Sequence, residues 1–104
     1  MGLIEVNGIR VFAFHGCLAE EARIGGHYRV DVQVEGDFAK AESTDDLSLT
    51  VDYGRVTTIV KEQMAQRSAL IEHVARRILD ALKAEWKAPY HWRVRLVKER
   101  PPVQ

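Results

Sequence analysis

Alternating hydrophobic and polar positions predict the strands of this chain. The clearest alternation runs through HYRVDVQVEGDF, residues 27–38, where every second residue from Tyr28 to Val34 is apolar and the others are polar or charged. An earlier strand is indicated over residues 4–14, which are mainly β-branched or aromatic. Within it, Asn7-Gly8 is either a turn or a bulge in one longer strand. Half-polar strands of this kind are typical of an antiparallel sheet.

The last predicted strand, YHWRVRLVKERPP at residues 90–102, places a lysine at the end of an apolar row. Every second residue from Trp92 to Leu96 is apolar, and by the same period of two Lys98 lies on that face. A lysine in this position usually extends its ammonium group to water; the alternative is that it faces a site. The strand is expected to stop at Pro101-Pro102, because proline cannot donate to a sheet hydrogen bond.

Two helices are predicted between the second and third strands. In VDYGRVTTIVKEQMAQ, residues 51–66, apolar residues recur at helical spacing from Val56 to Met64. Thr50 or Asp52 is available as the N-terminal cap. The β-branched VTTIV segment keeps a strand as the alternative, since such residues lose rotamer freedom in helices.

The second helix is predicted from Ala69 to Trp86, with Ser68 as its cap. At about 100° per residue, its apolar stripe leaves Glu72 on the rim, roughly 20° from Leu79. This carboxylate is either solvated, with Arg76 four residues on as an ion-pair partner, or it meets a group that docks against the edge of the stripe. The pattern alone does not decide between these two interpretations.

The order of these elements indicates the fold class. CLAEEARIGG at 17–26 is predicted to be a connection, and KAESTDDLSLT at 40–50 a polar loop. Strand, strand, helix, helix, strand is then an α+β arrangement, with both helices on one face of an antiparallel sheet. The length of 104 residues predicts a single domain over 1–104.

Charge and composition narrow the classes of partner. Fifteen basic residues balance fifteen acidic ones and are interspersed with them, so the basic patch of a nucleic-acid or acidic-membrane binder is missing. No apolar run approaches the roughly 20 residues of a membrane span, and the N-terminus lacks a signal-peptide pattern. A single cysteine, Cys17, fits a reducing cytoplasm. We therefore expect a cytoplasmic protein with a small-molecule or protein partner.

Spacing alone assigns no chemistry to the polar residues. The four histidines show no metal-ligand spacing, so no metal site is predicted. Cys17 follows His15-Gly16, but a nucleophilic pair requires approach in space rather than adjacency, and Cys17 is expected as a small apolar filler. The glycines of ARIGG match neither phosphate-binding loop and are interpreted as turn formers.

Four separate segments together carry a family resemblance: FHGCLAEEARIGGHYRVDV, STDDLSLTVDYGRV, ALIEHVARRI and VRLVKERPPV. In this order and at these separations they resemble the dihydroneopterin aldolase family of folate biosynthesis. The shared elements are HG-x-L-x-x-E, TDD followed by T-V-x-Y, an LLEH-like motif and K-x-x-PP. The similarity extends over nearly the whole chain.

The resemblance implies a tunnelling-fold subunit. Such subunits assemble through their sheets into a tetrameric barrel, commonly paired into an octamer, with active sites between neighbouring subunits. Family members continue beyond the K-x-x-PP element with a loop and a final strand. This sequence ends at Gln104, so the family's final strand is either absent from the protein or lies beyond the given residues; a sheet without it would have an exposed edge.

The activity implied by the resemblance is a retro-aldol cleavage of 7,8-dihydroneopterin into 6-hydroxymethyl-7,8-dihydropterin and glycolaldehyde. Many members also epimerise the side chain at C2′. The family uses neither a metal nor a lysine Schiff base, so no cofactor is expected. Three alternatives stay open: an epimerase of dihydroneopterin or its triphosphate, a pterin- or purine-binding module without catalysis, and a structural oligomerisation domain.

The same motifs, matched onto this chain, imply the substrate-binding residues. The glutamate of the LLEH-like motif matches Glu72, whose carboxylate can accept two parallel N–H hydrogen bonds from the 2-amino-4-oxopyrimidine edge of a pterin. Ile71 stands where the family usually has leucine and would contribute backbone contacts. Val51 and Asp52 would line the pocket.

The resemblance also implies three catalytic residues. Lys98 matches the family lysine that supplies protonation near N5 of the ring and stabilises developing charge. Tyr53 matches a tyrosine contributed by the adjacent subunit, where it handles a proton. Glu21 matches the acidic residue that binds and orients the hydroxyl groups of the substrate side chain.

Overall fold

Three antiparallel strands form the sheet, and the computed structural model describes residues 1–99 of the chain. The strands are β1 (Gly2–Ala13), β2 (Gly26–Gly36) and β3 (His91–Glu99), in the spatial order β1-β2-β3. All three predicted strands are confirmed. The predicted stop at Pro101-Pro102 lies outside the described residues.

The bulge predicted at Asn7-Gly8 is present in β1. The register passes from Val6 opposite Val32 to Ile9 opposite Val30, so β1 has one extra residue at this point: two residues of β1 oppose one of β2. Gly8 has a φ of +73°, a conformation that suits glycine, and its N–H donates to Asp31 Oδ1 at 2.7 Å. The bulge keeps apolar residues on the same face of β1 before and after it.

Two long helices follow the sheet's first two strands, as predicted, and two short helices were not predicted. The helices are α1 (Ala19–Ile24), α2 (Ala39–Thr44), α3 (Tyr53–Met64) and α4 (Ile71–Glu85), with a 3₁₀ turn at Leu47–Leu49. The predictions of a connection at 17–26 and a polar loop at 40–50 are therefore wrong where α1, α2 and the 3₁₀ turn lie. Six-residue helices are too short to show an apolar period, and their local caps, such as Leu18 N–H donating to Glu21 Oε1, carry the signal instead.

The helix caps agree with the sequence in one case and differ in the other. Asp52 caps α3, because its Oδ1 accepts from the N–H groups of Gly54 and Arg55 at 2.9 and 3.4 Å. The strand alternative for VTTIV is therefore wrong. Ser68 does not cap α4, which begins after Leu70 without a side-chain cap; the Ser68 hydroxyl instead accepts from Arg77 at 3.0 Å.

The core lies between one face of the sheet and the helices α3 and α4. Side chains buried there come from alternate positions of β2 and from the apolar stripes of both helices: Val30, Val32, Val34, Val56, Val60, Met64, Val74, Ile78 and Leu82. Burial of each such side chain stabilises the fold by about 1.5–3 kcal/mol. In the β2–β3 register Lys98 lies opposite Tyr28, at the end of this buried row. None of the helices within residues 1–99 has the length and apolar character that crossing a membrane requires.

Candidate active site

A cleft of about 240 Å³ opens where α1, the start of α4 and the end of β3 meet. It is lined by His15, Gly16, Cys17, Glu21, Tyr28, Ala69, Leu70, Ile71, Glu72 and Lys98. Four of the residues singled out in the sequence, Glu21, Ile71, Glu72 and Lys98, thus share one cleft. They come from three elements that are far apart in the chain, α1, α4 and β3.

Lys98 and Glu21 form an ion pair in this cleft. Lys98 Nζ donates to Glu21 Oε2, and the two side chains are 39% and 29% exposed. The hydrogen bond from Lys98, followed by the one from the Leu18 N–H, holds the pKa of Glu21 below its usual value of 4.5. The stabilisation from this carboxylate is therefore present above about pH 4.5 and is lost as the pH falls through the lowered pKa. At neutral pH the cleft holds a carboxylate and an ammonium group in contact.

Gly16 makes room for this pair. A Cβ at position 16 would lie 2.5 Å from the carboxyl carbon of Glu21, and the φ of Gly16 is +144°. Both the close approach and the backbone conformation require glycine. The HG element of the sequence thereby lets α1 pack its glutamate into the cleft.

Glu72 lies at the beginning of α4 with its carboxylate exposed. The ion pair with Arg76, which belonged to one of the two interpretations left open, is not formed, because Arg76 Nε lies 3.3 Å from Asp80 Oδ1 instead. Glu72 makes no hydrogen bond or ion pair with any of residues 1–99. As the second residue of the helix, its carboxylate is stabilised by the partial positive charge of the helix N-terminus.

The uncapped start of α4 adds hydrogen-bond donors beside this carboxylate. The first N–H groups of a helix have no partner within the helix, and no side chain caps α4. Among residues 1–99, the N–H groups of Ile71 and Glu72 have no acceptor. The cleft therefore presents an acceptor and donors side by side, with the Lys98–Glu21 pair also lining it. This arrangement suits a flat polar molecule whose edge alternates donors and acceptors.

The other three residues singled out in the sequence lie away from this cleft in the single chain. Val51 is buried in the core, and Asp52 is occupied as the cap of α3. Tyr53 is 70% exposed as the first residue of α3. None of the three lines the cleft that holds Glu72 and Lys98.

A set of hydrogen bonds, which we call the clasp, joins residues 15–17 to residues 67–69 beneath the cleft. Gly16 N–H donates to the Ser68 carbonyl at 3.0 Å, and Ser68 N–H donates to His15 Nδ1 at 3.1 Å. Arg67 donates to the Gly16 carbonyl at 2.6 Å. The clasp holds the segment before α1 against the segment before α4, and so fixes both walls of the cleft.

Sequence reasoning missed the cleft's His15, Tyr28 and Cys17. Tyr28 is buried and its hydroxyl donates to the His15 carbonyl at 3.0 Å. It lies opposite Lys98, and the alternation of β2 and β3 places both residues on the core face of the sheet. Cys17 is exposed, so the expectation of an apolar filler is wrong; its Sγ lies 3.4 Å from the Ala69 carbonyl oxygen. No spacing rule marks a residue whose role depends on contacts 50 positions away.

His15 is held neutral in the clasp. Its Nδ1 accepts from Ser68, which assigns the proton of the neutral ring to Nε2, and the ring is 1% exposed. Burial, and then the charge of Arg77, lower the pKa of His15 below its usual value of 6.5. Because the unfolded chain then binds the proton more readily, the stabilisation is complete above about pH 6.5 and declines as the pH falls towards the lowered pKa.

Replacing His15 with asparagine should flatten the pH dependence of stability below about pH 6.5. The asparagine Oδ1 can accept the Ser68 N–H but does not titrate. We expect the wild-type free energy of unfolding to fall with a slope of up to about 1.4 kcal/mol per pH unit, and the slope in the variant to be smaller. Urea unfolding between about pH 7 and about pH 5 measures both, with the exposed His73→Asn as control. Equal slopes in wild type and His15→Asn would contradict this assignment.

Two further structural findings concern other kinds of site. Within residues 1–99, no group of three or more His, Cys, Asp or Glu side chains is arranged to hold a metal ion. A larger cavity, of about 560 Å³, lies on the opposite face of the sheet and contains none of the candidate catalytic or substrate-binding residues.

Comparison with known proteins gives one consistent result. The sequence profile of the FolB family, dihydroneopterin aldolase, matches residues 4–104. The dihydroneopterin aldolase of Staphylococcus epidermidis is 38% identical over 102 residues, which are 97% of this chain and 84% of that protein. The enzyme of Bacillus subtilis is 29% identical over 104 residues, covering 99% of this chain and 87% of that protein.

Solved structures agree in fold. The atomic-resolution structure of E. coli dihydroneopterin aldolase in complex with neopterin is 25% identical and has a TM-score of 0.85, covering 92% of this chain and 84% of that one. The crystal structure of the FolB protein from Vibrio cholerae has a TM-score of 0.84 at 25% identity, covering 92% of this chain and 81% of that one. Profile, relatives and fold coincide over nearly the whole chain, which therefore belongs to the dihydroneopterin aldolase family.

Proposed function

We propose that this protein is a dihydroneopterin aldolase, a lyase that cleaves 7,8-dihydroneopterin into 6-hydroxymethyl-7,8-dihydropterin and glycolaldehyde for folate biosynthesis. The family membership supports the reaction. The observation that carries the proposal is the cleft itself, in which a carboxylate without a protein partner among residues 1–99 lies beside open helix N–H groups and the Lys98–Glu21 pair. A pterin offers a complementary donor and acceptor edge at one end and a polar side chain at the other.

Glu72 and the start of α4 bind the ring in this proposal. The carboxylate accepts from the 2-amino group and the adjacent ring N–H, in a charge-assisted bidentate pair. The N–H of Ile71 donates to the ring carbonyl, which the uncapped helix end supports. Leu70 and Ile71 supply apolar surface for the flat ring.

Lys98 acts as the acid at the reacting end. The 2′-hydroxyl loses its proton as the C1′–C2′ bond breaks, C2′ leaves in the aldehyde of glycolaldehyde, and the electron pair of the bond passes into the C6–N5 imine. In the enamine that results, C1′ gains the proton that the 2′-hydroxyl lost and N5 returns its proton to Lys98, which restores the imine and gives the hydroxymethyl group. Protonation at N5 makes this imine an electron sink, and a cationic lysine supplies that proton and stabilises the charge. Contact with Glu21 favours the charged ammonium, which is an acid rather than a nucleophile. Glu21 also orients the hydroxyl groups of the side chain.

A second copy of this chain completes the site in this proposal. Tyr53, Val51 and Asp52 lie away from the cleft of their own chain, and the exposure of Tyr53 leaves it available to a neighbour. Copies of the single domain 1–104 assemble into a tetramer or octamer, with Tyr53 of one copy handling a proton in the cleft of the next. We place the assembly in the cytoplasm, where the exposed free thiol of Cys17 stays reduced.

Mixing two inactive variants tests the shared site. Co-expressed Lys98→Met and Tyr53→Phe subunits should recover about one quarter of wild-type activity, because one in four random neighbour pairs joins an intact cleft to an intact tyrosine. Co-expressed Lys98→Met and Glu21→Gln subunits should recover none, because both changes lie in the cleft of one chain. Activity assays on the purified mixed oligomers measure this. Equal recovery in the two mixtures, or none in the first, would show that the tyrosine is not supplied by a neighbour.

Product analysis tests the reaction. The purified protein is incubated with 7,8-dihydroneopterin, with and without EDTA, and the products are separated by chromatography. We expect 6-hydroxymethyl-7,8-dihydropterin and glycolaldehyde in equal amounts, with the same rate in both samples. The C2′ epimer alone would show an epimerase, and unchanged substrate with bound pterin would show a binding module. Either result would overturn the aldolase proposal.

A further inference from the structure

The cavity of about 560 Å³ lies on the sheet face opposite the core, so it is separate from the proposed active site. It is lined by the bulge at residues 7–8, Arg29, Asp31, Gln33, Arg93 and Arg95. Three guanidinium groups against one carboxylate leave the lining with a net charge of +2. The proposed reaction uses none of these residues.

The acidic groups around this cavity are already engaged. Asp31 accepts the Gly8 N–H at Oδ1, at 2.7 Å, and its Oδ2 lies 3.6 Å from Arg29 Nε. At the rim, Glu5 accepts from Gln33 Nε2 at 2.9 Å and from Asn7 Nδ2 at 3.4 Å. The bulge in β1 thus holds Asp31 through its backbone, while Asn7 and Gln33 hold Glu5.

Two of the three arginines that line the cavity are not paired with an acidic group. Arg93 and Arg95 are exposed and make no hydrogen bond or ion pair with any of residues 1–99. Arg95 lies opposite Asp31 in the β2–β3 register, yet that carboxylate contacts Gly8 and Arg29 instead. Because they are alternate residues of one strand, the two arginines project from the same face of the sheet, and their Cα atoms are about 6.7 Å apart.

From this arrangement we infer that the cavity binds the phosphate group of a small molecule. A phosphate dianion matches the net charge of the lining, and its oxygens can accept from both guanidinium forks at once. Arg29 also lines the cavity, but its charge is balanced by Asp31 at 3.6 Å, so the net charge of +2 comes from Arg93 and Arg95. The site is independent of the aldolase reaction, since it lies on the other face of the sheet.

Calorimetric titration with inorganic phosphate at low ionic strength tests the site. The Arg93→Gln/Arg95→Gln double variant should bind phosphate at least about tenfold more weakly than wild type, because charge-assisted hydrogen bonds are lost. The Arg23→Gln/Arg76→Gln double variant makes the same change in net charge at exposed helix positions and should bind as wild type does. No binding to wild type, or equal binding to all three proteins, would overturn the proposal.

A second measurement locates the binding without any substitution. Phosphate added to ¹⁵N-labelled wild type should shift the amide signal of Gly8 and the side-chain signals of Arg93 and Arg95. Glycerol phosphate in place of inorganic phosphate tells a phosphate ester from free phosphate: tighter binding of the ester at these signals identifies an ester as the ligand, and weaker binding identifies free phosphate. Shifts confined to the cleft around Glu72 would overturn the proposal.

Discussion

Replacing Lys98 with methionine should lower kcat for 7,8-dihydroneopterin about 10²–10⁴-fold and leave KM nearly unchanged. Methionine keeps an unbranched side chain at the end of the apolar row but removes the ammonium group, and with it the proton that Lys98 supplies at N5 in the proposed mechanism. In the same proposal Glu72 and the start of α4 still bind the ring, so the loss falls on the chemical step. Steady-state kinetics with product detection separates kcat from KM.

Two comparisons make this result specific. Lys83→Met changes an exposed lysine in the last turn of α4, outside the cleft, and should keep wild-type kinetics. Lys98→Arg keeps a positive charge beside Glu21, but a guanidinium group is not deprotonated in proteins and cannot act as the acid, so this variant should also lose activity. If Lys98→Arg kept wild-type kcat, Lys98→Met would have failed through the lost charge alone, and Lys98 would not be the acid.

Much of the fold could be predicted because it depends on periods that are visible in the chain. The alternation of β2 sets which residues are buried, and the same period carried along β3 puts Lys98 on the core face, opposite Tyr28. The cap by Asp52 was also predictable, since it is a contact with N–H groups two and three residues away. Local periods and local caps are properties of a short segment, and the sequence displays them directly.

What the sequence did not predict depends on competition between contacts. Arg76 could pair with Glu72 or with Asp80, one turn before or one turn after, and it pairs with Asp80. Ser68 is a good cap by residue type, but Arg77 takes its hydroxyl and α4 begins two residues later than predicted. The free carboxylate of Glu72 and the open N–H groups beside it both follow from these two outcomes.

The candidate site itself was reached through the family motifs rather than through spacing. Glu21, Glu72 and Lys98 come together only because β3 pairs with β2 and the clasp joins residues 15–17 to 67–69. No single-segment pattern encodes either contact. The proposed role of Tyr53 depends on a contact between two copies of the chain, and such a contact leaves no periodic pattern within one sequence.

Replacing Glu72 with glutamine should weaken pterin binding by at least about 100-fold. The glutamine oxygen can accept one N–H of the pterin edge, but its NH₂ group is a donor that faces a second donor. One charge-assisted hydrogen bond is lost and the other loses its charge, and bonds of this kind contribute about 1.5–3 kcal/mol each. Fluorescence titration with neopterin measures Kd, and KM for 7,8-dihydroneopterin should rise in parallel.

The matched control is Asp80→Asn, on the same helix and also exposed, where the carboxylate pairs with Arg76 outside the cleft. Both variants remove one negative charge from α4, so a general electrostatic effect would appear in both. The fold tolerates the change at Glu72, since a charge at a helix N-terminus contributes only about 0.3–1 kcal/mol. If Glu72→Gln bound neopterin as tightly as Asp80→Asn, the carboxylate would be a solvated rim residue, and the ring would have to be held by the backbone of α4 alone.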